Sequence, residues 1–79
     1  MRLTKEQLLA SLRDELGIET SGLNDDSPLF SSGIIDSFSL VSLIIFIEGK
    51  GVRVDPMDIN LDNLDSVERI LRFANRADD

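Results

Sequence analysis

Seventy-nine residues make one domain, because two separately stable cores do not fit in this length. Fifteen acidic against eight basic side chains give a net charge of −7, which argues against nucleic-acid binding, since a phosphate backbone selects Lys/Arg-rich surfaces. The chain contains no His, Cys, Trp or Tyr, which removes His-based acid–base chemistry, zinc sites, thiol nucleophiles and disulfides; catalysis by this chain alone is not expected, and no metal site is assigned.

A chain of this size without disulfides must stand on helix packing and good capping, so the composition favours an all-α bundle. Met1-Arg2-Leu3-Thr4 leads directly into a polar, helix-forming stretch with neither a secretory nor a lipidation pattern, and a cytoplasmic protein is expected. Thr4 and Gln7 have the spacing of a capping box, and Leu3 and Leu8 that of a hydrophobic staple. The first helix is therefore expected over about 4–16. Leu8, Leu9, Leu12 and Leu16 form its buried stripe, Lys5, Glu6, Arg13, Asp14 and Glu15 its wet side, and Gly17 its stop.

From Ile18 to Ile35 the chain turns to Ser, Asp, Asn, Gly and Pro, breaking both helical and strand periodicity. So long a loop in a small domain needs anchors, for which Leu23, Leu29, Phe30, Ile34 and Ile35 are the candidates. Ser27-Pro28 followed by Leu29-Phe30 predicts a single helical turn closed by Gly33.

Asp36 has the chemistry of an N-cap, which places Ser37 at the first position of a second helix over about 37–48, ended by Gly49-Lys50-Gly51. The apolar run within it is too broad for one buried stripe, so part of it belongs to the core and part to the surface. It is also too short to span a bilayer. Val52-Arg53-Val54 reads as an extended link, Asp55-Pro56 as the opening of a short helix over about 56–61, and Asp65 with Glu68 as an Asp version of the capping box starting a last helix over about 65–77. Arg69, Arg72 and Arg76 fall towards its carboxyl end, and Asp78 and Asp79 read as a frayed tail. The expected architecture is a four-helix bundle in a single domain, 1–79, with a long first loop and a short third helix.

Ser37 is the candidate functional residue. A hydroxyl at a helix start faces solvent in the positive field of the helix dipole, where a phosphate ester would be favourably placed. The passage Leu29-Phe30-Ser31-Ser32-Gly33-Ile34-Ile35-Asp36-Ser37-Phe38 resembles the acyl and peptidyl carrier protein family, in which the Ser after an Asp receives 4′-phosphopantetheine from coenzyme A. The resemblance extends to the long first loop, the Val-x-Val-Asp-Pro link and the capped last helix. It implies a carrier, with no catalytic role of its own, that holds an acyl or aminoacyl group as a thioester on an arm attached to Ser37. The implied partners are a phosphopantetheinyl transferase, an adenylating ligase, and the acyltransferases or synthases of fatty-acid or secondary-metabolite biosynthesis; the carrier itself would be a monomer.

The sequence departs from the family at one point. Second helices of fatty-acid carriers present several carboxylates to basic partners, whereas here Ser39 and Ser42 hold the corresponding positions and only Asp36 and Glu48 are acidic. Partner recognition would then lean on Phe38, Val41 and Ile45, with Glu48, and on Ile59. This resembles the specialised, stand-alone carriers loaded by an adenylating enzyme, which include the D-alanyl carrier proteins.

Three other readings carry less. A small helical interaction domain, never modified, would use the same apolar helix face. A serine hydrolase would need Lys5 or Lys50 as its base, and no motif places either beside Ser37. Asp58, Asn60 and Asp62 open like a calcium loop, but Asn63 stands where Gly is needed and Arg69 where a bidentate Glu is needed, so these residues read as caps and solvated acids.

Overall fold

The capping box at the amino end is present: Thr4 Oγ1 accepts from the Gln7 N–H at 3.2 Å, and Gln7 Oε1 accepts from the Thr4 N–H at 3.1 Å. In this computed structural model, which describes residues 3–76, it opens α1 (Lys5–Asp14). Leu3 and Leu8, the staple pair, are both buried. The helix ends sooner than the expected residue 16. Glu15 is the C-cap and accepts the Ser11 hydroxyl at 2.7 Å, and Gly17, at φ +68°, turns the chain so that the Ile18 N–H donates to the Leu12 carbonyl.

Short turns then carry the chain across the surface to Leu29. Leu29 and Ile35 are buried anchors, and Leu23 and Phe30 are half-buried, as an ordered loop requires. Ile34 is a correction, at 41% exposed: the backbone passes the core once here, and of two neighbouring isoleucines only Ile35 turns inward. The helical turn expected after Pro28 is instead a hydrogen-bonded reverse turn. The Gly33 N–H donates to the Phe30 carbonyl, and Gly33 has φ +84°, where a Cβ is strained.

Helix α2 (Ser37–Gly49) follows. Leu43 and Ile47 are its fully buried residues, each contributing about 1.5–3 kcal/mol through burial of its side chain. Leu40, Ile44 and Phe46 pack against the core while half-buried. No helix among the described residues is long and apolar enough to cross a membrane.

The expected third helix over 56–61 is divided in two. Pro56–Asp58 forms a 3-10 turn, Ile59 leaves helical geometry, and α3 (Leu61–Leu64) starts afresh on Asn60, whose side-chain oxygen accepts from the Asn63 N–H at 3.0 Å. The cause is local. The Asn60 amide also donates to the Met57 carbonyl, so it closes one turn and caps the next.

The last helix, α4 (Val67–Ala74), begins two residues later than expected because its N-cap is Ser66, which accepts from the Arg69 N–H at 3.1 Å. Val67, Ile70, Phe73 and Ala74 form its buried stripe. Arg69 therefore lies in the first turn, where it pairs with Asp62 at 3.7 Å, and not towards the carboxyl end. Arg76 closes the other end by donating to the Phe73 and Arg53 carbonyls. The carboxyl limit at 77 and the pair Asp78-Asp79 lie outside the described residues, as do Met1 and Arg2.

Helix α4 packs on α1 and α3, and α2 packs on α1, with the core between them. The described residues thus form an all-helical bundle of four helices without strands, the fold class expected from the sequence.

Candidate functional site at the amino end of the second helix

Asp36 is held in extended backbone, at φ −98° and ψ −177°, and its Oδ1 accepts from the Ser39 N–H at 2.9 Å. This is the cap the sequence implies, with the carboxylate satisfying a first-turn N–H that has no partner within the helix. Hydrogen bonds to Ser39 hold the Asp36 carboxyl below its ordinary range, so it is ionised at neutral pH. Capping fixes the register of everything after it. Ser37 becomes the first helical residue, exposed, at the positive end of a 13-residue helix.

The exposed face of α2 continues from that point. Phe38, Val41 and Ile45 are 88%, 59% and 63% exposed, and Glu48 completes the line at helical spacing. Ser42 is exposed and Ser39 half-buried, so Glu48 is the only charge on the helix. Beside α2 lies a mostly apolar cleft of about 200 Å³, lined by Phe30, Leu40, Ile59, Asn60, Leu61 and Leu64. Ile59 therefore stands with Leu40 of α2 in one cleft, at 40% exposed. Met57 and Leu61, at 88% and 52% exposed, extend the solvent-facing apolar surface of this segment and were not among the sequence candidates. Their signal was available only as two apolar residues in a short, acidic stretch.

The lysines do not complete a hydrolytic site. Lys5 pairs with Asp25 at 2.6 Å, and Lys50 sits over the Phe46 ring at the opposite end of α2, about 20 Å along the helix from Ser37 at 1.5 Å per residue. The acids that open like a calcium loop are engaged otherwise. Asp58 Oδ2 accepts from the Asp55 N–H at 3.0 Å, Asn60 caps α3, and Asp62 faces Arg69.

Asp65 is a further correction. It does not cap the last helix; its carboxylate turns back to the loop before Ser37 and accepts from the Phe30 and Ser31 N–H groups and from the Ser31 hydroxyl. The bond to the Ser31 hydroxyl, followed by that to its N–H, holds the Asp65 carboxyl below its ordinary range. Asp65 and Ser66 are both good caps by residue type, so spacing alone did not decide between them.

The bundle presents a serine hydroxyl at the amino end of α2, exposed and behind an ionised cap. Residues 6–74 match the family profile described as the phosphopantetheine attachment site, and the chain belongs to that family of acyl and peptidyl carrier proteins. Domains of this family carry covalently attached 4′-phosphopantetheine and are carriers, not catalysts. The comparison with solved structures gives no significant match. The amino end of α2 fits such a group: the hydroxyl is exposed, and a phosphodiester there meets the positive end of the helix dipole.

Proposed function

We propose that Ser37 is the attachment residue and that the protein ferries an acyl or aminoacyl group between separate enzymes. The observation that carries this reading is the exposed Ser37 hydroxyl at the first position of α2, behind the ionised cap Asp36, in a chain that matches the carrier family. In the loading step Ser37 Oγ forms a phosphodiester bond, its proton leaves, and the adenosine 3′,5′-bisphosphate part of coenzyme A departs as the pyrophosphate bond breaks. Once bound, the arm supplies a terminal thiol on which cargo is held as a thioester. Asp36 orients the helix start and meets the transferase.

Partners dock along Phe38, Val41, Ile45 and Glu48, with Ile59 at the edge. That face offers apolar area where a general fatty-acid carrier offers carboxylates, which favours a specialised carrier loaded by an adenylating ligase, working in the cytoplasm where coenzyme A is available. The test is the intact mass of the protein after incubation with coenzyme A and a broad-specificity phosphopantetheinyl transferase, with Ser37→Ala alongside. Addition of one phosphopantetheine to the wild type alone is expected. A wild type that stays unmodified while a control carrier is converted would reject the reading in favour of an unmodified interaction domain.

A further inference from the structure

The loop that leads into Ser37 is not held by its own turn alone. Asp65, in the connection between α3 and α4, binds it at four points. Its Oδ1 accepts from the Phe30 N–H at 2.8 Å and the Ser31 N–H at 3.0 Å, its Oδ2 accepts from the Ser31 hydroxyl at 2.7 Å, and its carbonyl accepts from the Leu29 N–H at 2.8 Å. Three successive loop residues thus end on one residue more than thirty positions away.

The restraint is passed along the backbone towards the serine. The Gly33 N–H donates to the Phe30 carbonyl, the Ile35 N–H donates to the Leu29 carbonyl at 2.9 Å, and the Ser32 hydroxyl donates to the Pro28 carbonyl. Ile35 is buried, and Asp36 and Ser37 follow it directly. Helix α4 has its cap from Ser66, so the Asp65 carboxylate serves the loop. Neither Asn, with one acceptor oxygen, nor Ser could accept from these three donors in the same way.

We propose that Asp65 is a positioning residue for the modification of Ser37: it fixes the Leu29–Ile35 loop so that the hydroxyl at the start of α2 is presented in one place to the transferase. This rests on Ser37 being the attachment residue. It assigns Asp65 an effect on the chemical step and leaves docking to the exposed face of α2. Misplacing a nucleophile by about 1 Å costs up to about 100-fold in rate, so partial loosening of the loop is expected to cost about tenfold.

The experiment uses the full chain, coenzyme A and a broad-specificity transferase, with the carrier as the varied substrate, at a temperature where circular dichroism shows every variant folded. Asp65→Ala is expected to lower kcat about tenfold with KM little changed, and to speed hydrogen exchange at the Phe30 and Ser31 amides while α4 stays protected. Asp65→Asn, which keeps one acceptor oxygen, should recover part of the loss, and Ser31→Ala, which removes only the hydroxyl bond, should show a smaller one. Should Asp65→Ala fail to fold, Asp65→Asn and Ser31→Ala carry the test. An unchanged kcat in the folded variants overturns the proposal while leaving the attachment reading intact. A wild type that accepts no group overturns the attachment reading, and this proposal with it.

Discussion

Two aspartates carry the local order around Ser37, and both do so as carboxylates. Asp36 accepts from Ser39, and Asp65 accepts from Phe30 and Ser31; hydrogen bonding holds each below the ordinary carboxylate value of 3.8. A carboxyl whose pKa is lower folded than unfolded binds more protons in the unfolded chain, so its share of stability is present above the unfolded value and lost as pH falls through the folded one. Acidification also relieves repulsion within a chain of net charge −7, which acts in the opposite direction. The difference between wild type and Asp65→Asn isolates the one group. Urea midpoints across pH 3 to 6 are expected to show wild type the more stable at the upper end, with the gap closing as pH drops below about 4. A gap independent of pH would mean that ionisation of Asp65 contributes nothing. The sequence showed both aspartates as caps, correctly for Asp36, whose partner is three residues away. Asp65 was not legible, because its partners are thirty-four and thirty-five residues away.

Among the elements, α2 is apolar on its solvent-facing side as well as on its buried side. Leu43 and Ile47 are buried, whereas Phe38, Val41 and Ile45 face solvent on a helix with no charge before Glu48. Exposed apolar residues contribute little to folding, so replacing them leaves stability nearly unchanged. The double variant Val41→Ser/Ile45→Ser is expected to keep its thermal midpoint within a few degrees, since a change of about 1 kcal/mol moves it by about 4–8 °C. It should also raise the transferase KM several-fold with kcat retained. A KM equal to wild type would show that partners do not read this face. The sequence showed that the apolar run exceeded one buried stripe, but hydropathy could not say which residues were left outside. That depended on where α1 and the loop anchors covered the helix.

At the scale of the whole molecule, the first and last described segments are joined by a buried amide. Asn75 Oδ1 accepts from the Leu3 N–H at 2.8 Å, and its Nδ2 donates to the Leu3 carbonyl at 2.9 Å. Asn75→Ala leaves a buried donor and acceptor of Leu3 without partners, which costs about 1–3 kcal/mol each when unsatisfied. A loss of about 2 kcal/mol by urea denaturation is expected, whereas a loss below about 0.5 kcal/mol would mean that water replaces the amide. By itself the sequence determined the all-helical class, the α1 capping box, the Asp36–Ser37 start of α2 and its exposed hydroxyl, because these depend on residue type and on neighbours within one helical turn. Only the tertiary structure decided the shift of the last cap to Ser66, the outward turn of Ile34, and the contacts of Asp65 and Asn75. Each of these is a choice between locally comparable alternatives, and contacts far apart in the chain made it.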